Sequence, residues 1–178
     1  MKKRYLSDYT LEEQVDPRTG KSRPVPKYRG KTYRFLQQGE KLRRAKILFS
    51  GLTGCCILAV LAAFLTNAPV GHLWYVMMPL AVMLLPLFLQ GESCVLFLRS
   101  GETTTRAGRD KIESRTGVTL LLNCFFSLFS LAGHIVSMVL YEETIPDVVY
   151  LAAAGVTFAC SLILFLNRGA LKTVEAEH

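Results

Sequence analysis

The sequence predicts an all-α, antiparallel four-helix transmembrane bundle with both termini cytoplasmic, preceded by a short basic cytoplasmic segment. Three observations predict it. The chain is 51% hydrophobic, and its apolar residues are gathered into four long blocks rather than spread through periodic elements. Each block is close to the ~20 residues a helix needs to cross a ~30 Å hydrocarbon core. The basic residues are distributed between the intervening segments with a strong bias.

The blocks place helices at about 46–66, 73–90, 117–140 and 148–167, a transmembrane domain over 46–168 and a cytoplasmic tail over 169–178. Apart from Lys46 at its edge, none of the four contains Asp, Glu, Lys or Arg. Only helices or closed barrels satisfy their backbone in lipid, and barrel strands would be shorter and alternate in polarity. Lys2, Lys3 and Arg4 are followed by the polar YLSDYTLEEQ, so a cleavable signal peptide is not expected and the first helix serves as an uncleaved targeting signal.

Charge sets the expected orientation. The connections NAPVGH (67–72) and YEETIPD (141–147) contain no Lys or Arg. Of 21 basic residues, fourteen lie in 1–46, five in 99–115, and Arg168 and Lys172 in the tail. The positive-inside rule then puts both termini and the 99–116 loop in the cytoplasm. The inner side carries 21 basic and 11 acidic groups, and the outer side only Glu142, Glu143 and Asp147. Such a face suits the anionic headgroups of the cytoplasmic leaflet; nucleic acid is not the expected partner. Short loops and the absence of an organelle signal point to a bacterial plasma membrane.

The first 45 residues are polar. DPRTG at 16–20 has turn chemistry, with Pro early and Gly late. It would let the flanking LEEQV and SRPVPKY pair as a hairpin, which is marginal alone in water. FLQQGEKLRRAK then reads as a short helix running into the first span, with Phe35 and its basic residues at the headgroups. GKS at 20–22 is not a phosphate loop, because Val15 stands where that motif needs Gly.

In the second helix, Gln90 and Glu92 interrupt the apolar run. From Leu73 to Gln90 is 18 residues, about 27 Å of helix, so Glu92 is expected at the inner headgroup level. Pro79 and Pro86 could kink the helix and hold that carboxylate deeper. Glu92 therefore stays a candidate intramembrane acid.

The third helix carries Thr119, Asn123, Ser127, Ser130, His134 and Ser137, at steps of four, four, three, four and three. At ~100° per residue they share one narrow face, which Thr116 and Tyr141 extend. Two readings are open. The stripe is a packing seam, where small polar side chains allow close approach and bond across helices. Alternatively it lines a path for a proton, ion or polar solute, with His134 as its titratable member.

Gly51, Cys55, Ala59 and Ala63 on the first helix, and Ala153, Thr157 and Ser161 on the fourth, form ridges of small residues suited to close crossing. Cys55, Cys56, Cys94, Cys124 and Cys160 read as small apolar packing residues. His72, His134 and His178 are too scattered for a metal site, and no catalytic motif or nucleotide fingerprint is present. No cofactor is expected. The expected function is that of a non-enzymatic accessory or scaffold subunit, binding a membrane-protein partner or forming a homo-oligomer. The alternative is a small transporter or channel component; an embedded enzyme ranks third for want of paired catalytic groups.

Overall fold

A computed structural model of the chain describes residues 8–15, 22–66, 73–140 and 148–176. It is mostly helical, at 76%, and four of its helices are long and apolar enough to cross a membrane. They are α1 (Gly39–Leu65), α2 (Trp74–Arg99), α4 (Thr116–Leu140) and α5 (Val148–Leu166). A short helix α3 (Arg106–Arg109) and a wide π-helical turn (Asp110–Arg115) lead into α4, and a 3-10 turn (Arg168–Leu171) follows α5. The strands are β1 (Tyr9–Val15), β2 (Ser22–Tyr28), β3 (Thr32–Phe35), β4 (Thr103–Thr105) and β5 (Thr173–Glu175).

The helices close a ring in which α2 packs on α4, α4 on α5, and α5 on α1; the α1–α2 seam is the thinnest. One end of the ring is covered by a three-stranded antiparallel sheet of order β4-β3-β5. Those strands come from just before α1, just after α2 and just after α5. The helices therefore run alternately up and down, with the described Lys and Arg residues gathered at the sheet end.

Four expectations change here. The short helix expected to run into the first span is continuous with it as α1, but starts not at Phe35 but at Gly39, which takes φ +56°, a backbone region that glycine adopts without steric cost. Phe35 belongs to β3 and is fully buried rather than resting at a headgroup surface. α2 runs through Pro79, Pro86, Gln90 and Glu92 to Arg99. The 99–116 loop and the tail, for which the sequence predicts no regular structure, supply β4, α3, the π-helical turn and β5. Hydrophobic demand explains the last two changes: Phe35, Leu42, Phe49, Phe97, Ile112 and Leu171 form one buried cluster at the sheet end. Phe97 lies edge-on to both Phe35 (5.3 Å) and Phe49 (5.9 Å).

β1 and β2 pair antiparallel from Tyr9↔Tyr28 to Val15↔Ser22. Their connecting DPRTG lies outside the described residues. Glu12 on β1 accepts from Lys27 (2.8 Å) and Arg29 (2.9 Å). These bonds hold its carboxyl below the ordinary carboxylate range. The hairpin reaches the sheet through Tyr28, whose hydroxyl donates to the Lys31 carbonyl (2.7 Å) and accepts from the Arg106 N–H (3.1 Å).

Candidate functional site

The buried face of α2 advances in steps of three and four: Val76, Leu80, Met83, Leu87, Gln90, Ser93 and Phe97. Gln90 falls in phase with these apolar residues, so it points into the bundle. Glu92 lies about 200° further round the helix and points elsewhere. Two polar residues two positions apart thus have opposite fates.

On α4, Thr119, Asn123, Ser127, Ser130, His134 and Ser137 are all buried, none more than 2% exposed. Thr116 is buried with them, and Tyr141 lies outside the described residues. The stripe faces α2, the helix on which α4 packs most extensively. Three of its hydroxyls are occupied locally. Thr119 donates to the Thr116 carbonyl (3.0 Å), Ser127 to the Asn123 carbonyl (2.6 Å) and Ser137 to the His134 carbonyl (2.7 Å). Ser130 reaches across to the Val76 carbonyl of α2 at 3.4 Å.

The amides form the interhelical connection. Asn123 Nδ2 donates to Gln90 Oε1 at 2.6 Å, and Gln90 Nε2 donates to Thr53 Oγ1 on α1 at 3.0 Å. Three helices are joined by two bonds through one buried glutamine. Sequence reasoning treated Gln90 only as a break in an apolar run and did not single out Thr53. The signal was available: extending the three-four spacing of α2 from Val76 puts Gln90 on the inner face. Toward the other end, a Cβ on Gly133 would stand 2.8 Å from the Tyr75 carbonyl oxygen. Only glycine permits α4 to lie this close to α2.

Glu92 is 38% exposed and accepts from Lys111 Nζ (2.6 Å) and Arg115 Nη1 (2.5 Å). Both cations belong to the π-helical turn, which directs them outward while burying Ile112. Glu92 thus clamps the end of α2 to the root of α4. It is not joined to the stripe by any described hydrogen bond.

The small-residue ridges divide. Ala63 on α1 and Ala153, Thr157 and Ser161 on α5 are buried, whereas Gly51 and Cys55 are exposed. A ridge of four-residue steps drifts ~40° per step, so one end turns inward and the other outward. All five cysteines are free thiols. Among the described residues, no group of three or more His, Cys, Asp or Glu side chains is placed to hold a metal ion. Between α1 and α2, where packing is thinnest, a cleft of about 650 Å³ opens along Ser50, Gly54, Ile57, Phe88, Gly91 and Arg99.

No protein-family model, curated protein or solved structure matches this chain.

Proposed function

We propose that this chain is a non-enzymatic integral membrane protein of a bacterial plasma membrane, with both termini cytoplasmic, acting as an accessory or scaffold subunit. The carrying observation is that the hydroxyls of Thr119, Ser127, Ser130 and Ser137 and the Asn123 amide N–H bond to their own helix and to α2, as a seam does. The membrane reading is supported by broad exposed apolar faces, including Leu58, Leu61, Met78, Leu85, Phe125 and Phe129, which in water would favour aggregation. Its orientation is supported by the described Lys and Arg residues, all on the sheet side of the helices, and by Trp74 and Tyr150 at the opposite end, where aromatic side chains suit a bilayer interface.

The exposed cationic sheet end and the protruding hairpin offer surfaces to a partner on the cytoplasmic side. Mild-detergent purification of the tagged full-length chain, with sizing of the complex, tests the reading. A stoichiometric second protein, lost when the hairpin strands are replaced by a Gly/Ser linker, is the expected result. A homo-oligomer with no second protein, whose reconstituted form passes protons, would overturn it.

A small transporter or channel component is the second reading. One observation favours it: Asn123 Oδ1 is buried with no hydrogen-bond partner among the described residues, an arrangement a transient solute or water could relieve.

A further inference from the structure

The cleft between α1 and α2 combines three properties that the seam lacks. It is open to the side of the bundle, its walls are mainly apolar, and its sheet-side end is cationic. Ile57 and Phe88 stand at its apolar end, and Ser50 and Arg99 at the other. From Phe88 to Arg99 is eleven residues, about 16 Å along the helix. The width comes from missing side chains: Gly54 and Gly91 line it, and a Cβ added at Gly54 would meet nothing within 4 Å.

The mouth is positively charged. The Arg99 side chain makes no hydrogen bond or ion pair among the described residues. Lys46 Nζ donates to the Ser100 carbonyl, next to Arg99. Glu92 also lines the cleft, but Lys111 and Arg115 both hold it. Arg99 is thus the lining cation left to meet an anion, while the lining carboxylate is already held by two cations from outside the cleft. Charge decides between the occupants that suit an apolar cleft. The cleft opens sideways toward the lipid that surrounds the bundle in the membrane reading, and Arg99 stands at its sheet-side end. An acyl chain is thin enough, and basic pockets between helices at the cytoplasmic side suit anionic headgroups.

We infer that this cleft binds one anionic phospholipid of the cytoplasmic leaflet, its acyl chain along Ile57 and Phe88 and its phosphate at Arg99. The inference rests on the membrane reading above. A bound lipid would complete the α1–α2 seam, filling space that the helices leave open.

The test is native mass spectrometry of the full-length protein from nanodiscs of equal phosphatidylglycerol and phosphatidylcholine with matched acyl chains. Wild type is expected to retain one phosphatidylglycerol, about fivefold over phosphatidylcholine, the preference one headgroup-level cation gives. Arg99→Gln should erase most of that preference. Gly54→Leu puts a side chain on the cleft wall where a Cβ meets nothing within 4 Å and improves helix propensity, so it should fold and carry neither lipid. Equal retention of the two lipids by wild type overturns the inference, as does a Gly54→Leu protein that keeps its phosphatidylglycerol. So does a dimer that Gly54→Leu splits, which would assign the cleft to a second copy. A chain extracted from membranes by alkaline washing would sink the membrane reading itself; a chain that resists extraction yet holds no preferred lipid sinks the cleft alone.

Discussion

The sheet end and the seam between α2 and α4 are both buried, yet they are built from opposite chemistry. At the sheet end, three phenylalanines and their aliphatic neighbours close over one another beneath a small sheet. In the seam, glycine, serine and two amides bring the helices together. The contrast follows from the solvent each region meets in the proposed orientation. Next to water, removing apolar surface drives association. Between helices in lipid that force is absent, and packing with interhelical hydrogen bonds takes its place. One region holds by exclusion of water, the other by fit.

The largest expected effect breaks the apolar side of this comparison. Phe35→Ala should cost about 3–5 kcal/mol locally, the usual penalty for emptying a buried phenylalanine site. Hydrogen exchange should show β3 and β5 losing protection while the α2–α4 seam keeps its own. Equal loss in both regions would mean that they are not separate units.

A smaller effect sharpens the polar side. Gln90→Leu removes two interhelical bonds and leaves Thr53 and Asn123 without their amide partner, at a cost of about 1–2 kcal/mol. Adding Asn123→Leu should recover part of that loss, because the orphaned amide goes too. Steric-trapping unfolding in bicelles measures the cycle. Strict additivity of the two substitutions would show that the Asn123–Gln90 bond contributes no coupling.

The smallest effect concerns the hairpin, which has neither an aromatic core nor a buried seam. Its Glu12 carboxyl is held below its ordinary value of 4.5 by the Lys27 bond first and the Arg29 bond second. A carboxylate depressed in the folded state contributes above its unfolded pKa and loses that contribution as pH falls through the folded value. Amide exchange in β1 should therefore be insensitive to acid until pH drops below 4.5, and then quicken once intrinsic exchange is corrected for. Glu12→Gln should abolish that step.

The two regions also differ in how far the sequence discloses them. The α4 face is legible because 25 residues of helix give the three-four spacing room to repeat. Gln90 required the same phase to be carried along α2 through two prolines, and reading it as the end of an apolar run concealed its inward direction. The sheet could not be read that way. TYRF, TTT and TVE are three or four residues long, too short for alternation to emerge. The pairing also joins Tyr33 to Glu175 across nearly the whole chain. Phe35, which looks like a headgroup anchor beside basic residues, becomes the centre of a core only once Phe97 is brought against it.

The seam reading is tested most directly by proton flux into proteoliposomes containing the intact chain, compared between wild type and His134→Phe. A buried seam predicts flux no higher than that of protein-free vesicles for both proteins, with only the unfolding midpoint of the variant changed. Flux in wild type that titrates near neutral pH and disappears in His134→Phe would contradict it, and would make the polar face of α4 a path.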